Sequence, residues 1–228
     1  MKVHSLDFQL NRRYAKGLSS VIAFAVNSVR ENRIVDEFDR APRIWQGSNG
    51  GRPYRLTVSG VYELPFGKDR ASLANNGLIA GIVGGWQVAG AYDYQPGALL
   101  GDWTNLFFYG KLADIPLDHR TLDRWFNTDA GFEKDPAKTP AGFQKRQFPF
   151  RVDGVRGQAL SFLNMSLSRT IALSERRSLQ PRIDVQNLLN RQHWQNANTN
   201  PTSTNFGKVT TVTGNFMRFI TFVLKLNF

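Results

Sequence analysis

The chain closes on a stretch that only one kind of backbone accommodates. Between Phe216 and Phe228, Ile220, Phe222, Leu224, Leu226 and Phe228 fall on one side, and Thr221, Val223, Lys225 and Asn227 fall on the other. Period two marks a strand with one apolar and one mixed face. The stretch stops on the aromatic itself, where a soluble domain usually frays into water. A transmembrane barrel strand stops this way for a reason: the aromatic sits at the membrane interface and the apolar face meets lipid.

The same alternation recurs along the chain. Leu6, Phe8, Leu10 and Tyr14 oppose Asp7, Gln9, Asn11 and Arg13, before a short turn at Ala15-Lys16-Gly17. Ile22, Phe24 and Val26 follow on a second strand. Tyr54, Leu56, Val58, Gly60, Tyr62 and Leu64 oppose Arg55, Thr57, Ser59, Val61 and Glu63, with Tyr near both ends as an aromatic belt requires. Trp86, Val88, Gly90, Tyr92 and Tyr94 oppose Gln87, Ala89, Ala91, Asp93 and Gln95. Leu163, Met165, Leu167, Ile171 and Leu173 form a fifth apolar set, and Leu179, Ile183, Val185 and Leu189 a sixth. The reading is all-β: an antiparallel transmembrane barrel segment of about seven to eight strands.

The connections alternate in length. Long loops at Val29 to Arg52, Gly97 to Gln158 and Arg191 to Asn215 are separated by short or medium turns around Lys16, Gly67 to Gly84 and Glu175. If the last strand runs inward, every short turn lies on the periplasmic side and every long loop outside. Seven strands is an odd number, whereas bacterial single-chain barrels use even numbers. The first residues also lack the apolar core of a signal peptide. Both features point to the C-terminal part of a larger barrel.

Composition narrows the alternatives. No run approaches the ~20 apolar residues of a membrane helix, and a mean hydropathy of -0.35 fits apolar residues diluted by alternation. With no cysteine, thiolate metal sites and disulfides are absent. The net charge of +11 invites a nucleic-acid partner, but the Lys and Arg residues are scattered over turns and loops, so none is expected. The Asp114, Asp118, His119 and Asp129, Glu133, Asp135 groups lack metal-ligand spacing and read as solvated loop. No hydrolase elbow or phosphate-binding glycine pattern occurs, so neither an enzyme nor a cofactor is expected.

By parity Arg55, Glu63, Asp93, Arg182, Asp184 and Lys225 face the lumen, either lining a solute path or pairing with one another. Within the long aromatic loop, Trp103, Trp125 and Phe126 are candidates for contact with a sugar or peptide; the alternative is that they pack the loop against the rim. A short helix is expected around Leu117 to Trp125, with Asp118 as its cap, and another within Ser72 to Gly84. Two residues strain the pattern. Pro181 lies inside a paired strand, where it cannot donate to the ladder. Arg169 falls on the lipid face.

Several stretches resemble the C-terminal barrel of TonB-dependent outer-membrane receptors of the Oar-like group common in acidobacteria. They are Arg52-Pro53-Tyr54-Arg55-Leu56 through Tyr62-Glu63-Leu64-Pro65-Phe66-Gly67, Gly84-Gly85-Trp86-Gln87-Val88, Asp123-Arg124-Trp125-Phe126-Asn127-Thr128, Asp184-Val185-Gln186-Asn187-Leu188-Leu189-Asn190 and Leu224-Lys225-Leu226-Asn227-Phe228. The resemblance implies a Gram-negative outer membrane, a 22-stranded barrel, and a plug through which TonB energises uptake of a scarce solute. The final alternating strand, Ile220 to Phe228, resembles the signal read by the barrel-assembly machinery. The rival readings are a complete small barrel of adhesin type, with an eighth strand in Lys208 to Thr213 or Phe148 to Val155, and a soluble carbohydrate-binding sandwich.

Overall fold

The computed structural model describes residues 1–33, 44–48, 51–66, 84–101, 103, 107–138, 148–214 and 217–228. The strands are β1 Lys2–Ala15, β2 Leu18–Arg33, β3 Ile44–Gly47, β4 Tyr54–Glu63, β5 Trp86–Gln95, β6 Leu160–Arg169, β7 Ile171–Ser174, β8 Arg177–Gln186 and β9 Phe219–Asn227. All pairings are antiparallel, and long strands that follow one another in the chain lie side by side. The short β3 pairs with the far end of β2, and β7 continues the line of β6. Among the described residues β1 and β9 are open edges, so the sheet is an unclosed arc. The expected second helix, in 72–84, falls almost wholly outside the described residues.

Register, more than propensity, gives the sheet two different faces. Leu10, Ile22, Val58, Tyr92 and Leu163 stand in one row across five strands. Leu18, Tyr62, Val88, Leu167, Ile183 and Phe222 form another row. The row between Val88 and Gly90 and its neighbours is polar or small: Ala89, Ser166, Asp184 and Thr221 are successive partners. A slip of one residue in any pairing would send that strand's apolar set to the opposite face. Among the described residues, none forms a layer over the apolar face. Leu224 is 69% exposed and Phe228 93% exposed, and Phe8, Leu10 and Phe222 are open too.

Two local features depart from simple alternation. The β1–β2 hairpin turns on Lys16 and Gly17, both at positive φ (52 and 80), the pattern of a type I′ turn whose twist matches its strands. The register shifts between Arg12 and Ala15, a bulge beside this turn. Parity alone puts Tyr14 with the apolar set. The bulge instead brings its hydroxyl to Glu63, donating at 2.7 Å. The second feature is the gap between β6 and β7. Pairing with β8 stops at Ser168–Arg182 and resumes in the same register at Ile171–Leu179. That register sets Arg169 opposite Pro181, which has no N–H to offer, so the ladder breaks there. Arg169 is half-buried and pairs with Trp86, the first residue of β5.

The packed core lies off the sheet. Antiparallel order makes the β2–β4, β5–β6 and β8–β9 connections leave from one end, and the last two share a single apolar cluster. Trp103 stacks on Phe132 with ring centroids 5.8 Å apart, and Phe126 meets Phe206 edge-on at 5.3 Å. Backbone bonds tie the two loops together: the Trp125 amide donates to Gly207 O at 2.8 Å and the Val209 amide to Leu122 O at 2.7 Å. These bonds explain why the expected helix over 117–125 is absent. The Trp125 donor and the Leu122 acceptor are taken by a distant segment, Thr121 and Arg124 bond each other in a tight turn, and the regular turns among the described residues nearby are short 3₁₀ pieces at Leu112–Asp114 and Pro136–Lys138. No eighth strand forms in 148–155 or 208–213; Val152, Val155 and Val209 are buried in the loop cap instead.

Candidate functional site

The inner wall brings four of the six expected lumen residues into two pairs. Arg55 on β4 reaches Asp93 on β5 across the ladder, Nη2 to Oδ2 at 2.6 Å, and the Thr57 hydroxyl donates to the same carboxylate at 3.1 Å. Arg182 pairs with Asp184 on β8 at 3.0 Å. Glu63 takes the Tyr14 hydroxyl, and Lys225 lies across from Gln180. Charge on this wall is therefore largely neutralised locally. Between the pairs Ser19, Ser59, Ala89, Ala91 and Ser166 keep side chains short, leaving a groove of about 630 Å³. Such a wall can be solvated, or can let a polar chain pass close to the backbone.

The structure corrects the aromatic ligand candidates. Trp103 is 1% exposed, Trp125 9% and Phe126 0%. They hold the cap together and present no surface to a sugar or peptide. The Trp125 indole donates to Arg156 O at 2.7 Å, and the Asn127 side chain donates to Asp114 O at 3.0 Å. The Arg-Trp-Phe-Asn segment is thus the keystone of the cap. Outside the cap core, Asp129 is bound by Lys134 at 2.8 Å and Arg124 at 3.3 Å. The Lys134 hydrogen bond, with its charge, holds this carboxyl below the usual carboxylate range.

Sequence reasoning missed the residues that fasten the cap to the wall. Arg151 is half-buried and pairs with Glu31 on the inner side of β2. Arg156 donates to Gly51 O at 3.3 Å and Gly97 O at 3.2 Å, joining the β2–β4 loop to the β5–β6 loop. Burial pulls this guanidinium down from its ordinary value, with Asp153 opposing. His193, from the β8–β9 loop, lies over Phe162 of the inner wall with rings 4.4 Å apart. Burial, then the Arg191 charge, lowers its pKa from 6.5. Only Phe162 gave a signal in the sequence: an aromatic on the polar side of its strand.

The geometry is now that of a sheet with a bare apolar outside, a polar inside and loops gathered at one end. A family model described as an outer membrane beta barrel domain matches residues 2–221. The chain belongs to the outer membrane β-barrel domain family. Comparison with curated proteins gives no match. As an outer-membrane β-barrel domain the chain resides in the outer membrane, and its bare face meets lipid. The Phe24, Tyr54 and Tyr94 rings, at successive spacings of 6.1 Å, form an aromatic belt on that face near the loop end.

Proposed function

We propose that this arc is the C-terminal part of the barrel of a TonB-dependent receptor of the Oar-like group. The whole protein then takes up a nutrient, a carbohydrate or a peptide, with energy relayed by TonB to a plug inside the barrel. The barrel-assembly machinery reads the strand ending at Phe228. The observation that carries this reading is the open polar wall. Among the described residues seven long strands, β1, β2, β4, β5, β6, β8 and β9, alternate in direction. The first and last therefore run the same way, and pairing them would break the antiparallel rule of these barrels. Lipid leaves no backbone polar group unpaired at low cost. Further strands with a polar inside, as in a large transporter, complete the enclosure.

Two measurements test this. Translation of the coding DNA upstream of Met1 is expected to give an in-frame plug and more alternating strands; an in-frame stop directly before Met1 ends the proposal. Uptake of a fluorescently labelled oligosaccharide or tripeptide by cells carrying the full gene is expected to fall to background when TonB is deleted. Uptake of one of these probes that persists without TonB would argue for passive diffusion.

A further inference from the structure

The loop end of the sheet sorts its charges by face. On β1, β2 and β3, the residues continuing the lipid-side parity beyond Leu6 and Val26 are His4 and Lys2, then Ser28, Arg30 and Asn32, with Trp45 opposite Asn32. None is acidic. The acidic residues of these strands, Asp7 and Glu31, have the opposite parity, and Glu31 is taken by Arg151. Lys2 and Arg30 are direct cross-strand partners. Like charges facing each other across a ladder destabilise it unless a counter-charge intervenes. Both are exposed, and the contact found for Lys2 is with the Trp45 ring, 4.6 Å from its centroid.

Among the described residues no acidic side chain is paired with Lys2 or Arg30, and the height of the pair points to another counter-charge. Arg30 lies four residues beyond Val26, which pairs with Tyr54 of the aromatic belt. That is about 13 Å along the strand, or about 10 Å of height at the usual barrel tilt. The polar layer of one leaflet is about 5–8 Å thick, and long basic side chains bend toward it. The two backbones therefore stand just above the polar layer, and their long side chains can reach back to the headgroups on the side that faces lipid.

We propose that Lys2 and Arg30, with His4 and Ser28 beside them, form a binding surface for the phosphate groups of an anionic lipid in the external leaflet. The inference rests on the membrane placement of the sheet and is independent of transport. The test uses the full-length protein in phosphatidylcholine vesicles doped with bisphosphorylated lipid A or with its dephosphorylated form, and reads lipid retained per protein. Each basic residue is expected to contribute about fivefold in affinity, so the Lys2→Gln, Arg30→Gln double variant binds the phosphorylated form about 25-fold more weakly. Arg30→Lys, which keeps the charge, retains most of the binding, and Arg182→Gln on the inner wall leaves it unchanged. Equal binding of both lipid forms, equal binding by wild type and double variant, or displacement by millimolar inorganic phosphate would each overturn the proposal.

Discussion

Leu224→Arg and Thr221→Arg place the same side chain on the two faces of one strand. Leu224 sits near the middle of β9, opposite Pro181, with its side chain on the bare face. Arg at the bilayer midplane on that face costs about 2–4 kcal/mol, an equilibrium shift of about 30- to 700-fold. Thr221 lies three residues away with opposite parity, directly across from Asp184. There an added guanidinium stays in water beside the Arg182–Asp184 pair, so a change under about 1 kcal/mol is expected. The assay is urea unfolding of the full-length protein in phospholipid vesicles, with the heat-modifiable band on gels as a second measure. A water-soluble sandwich burying Leu224 would also lose stability at that site, but it would fold without lipid. The reasoning fails if Thr221→Arg costs as much as Leu224→Arg, or if both variants fold equally well without a bilayer.

Three further outcomes follow from the packing. Phe126→Ala removes a fully buried ring and is expected to destabilise the cap by about 3–5 kcal/mol; hydrogen exchange should speed up at the Trp125 and Val209 amides while the strand amides stay protected. Gly17→Ala puts a Cβ at φ 80, 3.1 Å from Glu63 O, and should cost about 1–2 kcal/mol in unfolding experiments, whereas Lys16→Gly should be neutral or better. His193 has a folded pKa below its ordinary 6.5 because it is buried near Arg191. A depressed histidine contributes full stability above about 6.5, and that stability is lost as pH falls below it, because the opened loop takes up the proton first. The protection of the Thr213 amide, which donates to His193 O, measured against its intrinsic exchange rate at each pH, should therefore fall from pH 7.5 to pH 5. His193→Phe should flatten that dependence, and an unchanged pH response in this variant would remove His193 as the cause.

Much of the wall was legible in the sequence because a strand's side chains alternate by geometry alone. Leu56, Val58 and Tyr62 against Arg55, Thr57 and Glu63 fix a face without knowledge of any neighbour. The alternation located the long strands found among the described residues and set Ile220, Phe222, Leu224 and Leu226 on one face. Tyr14 escaped it because a bulge is one extra residue whose presence depends on the partner strand. The loops escaped for a different reason. Trp103, Trp125 and Phe126 have no period, and whether an aromatic faces water or a core depends on segments as distant as Phe206 and Val209.

What the chain determines by itself is therefore sidedness: alternating side chains allow one apolar and one polar face, and lipid is the solvent that stabilises the first. What only the tertiary structure decided is the cap and its fastening. The Arg151–Glu31 pair and the Arg156 contacts to Gly51 and Gly97 join residues separated by dozens to more than a hundred positions. No local rule could pair them, because the energy of each contact exists only once antiparallel strands have carried the loops to the same end.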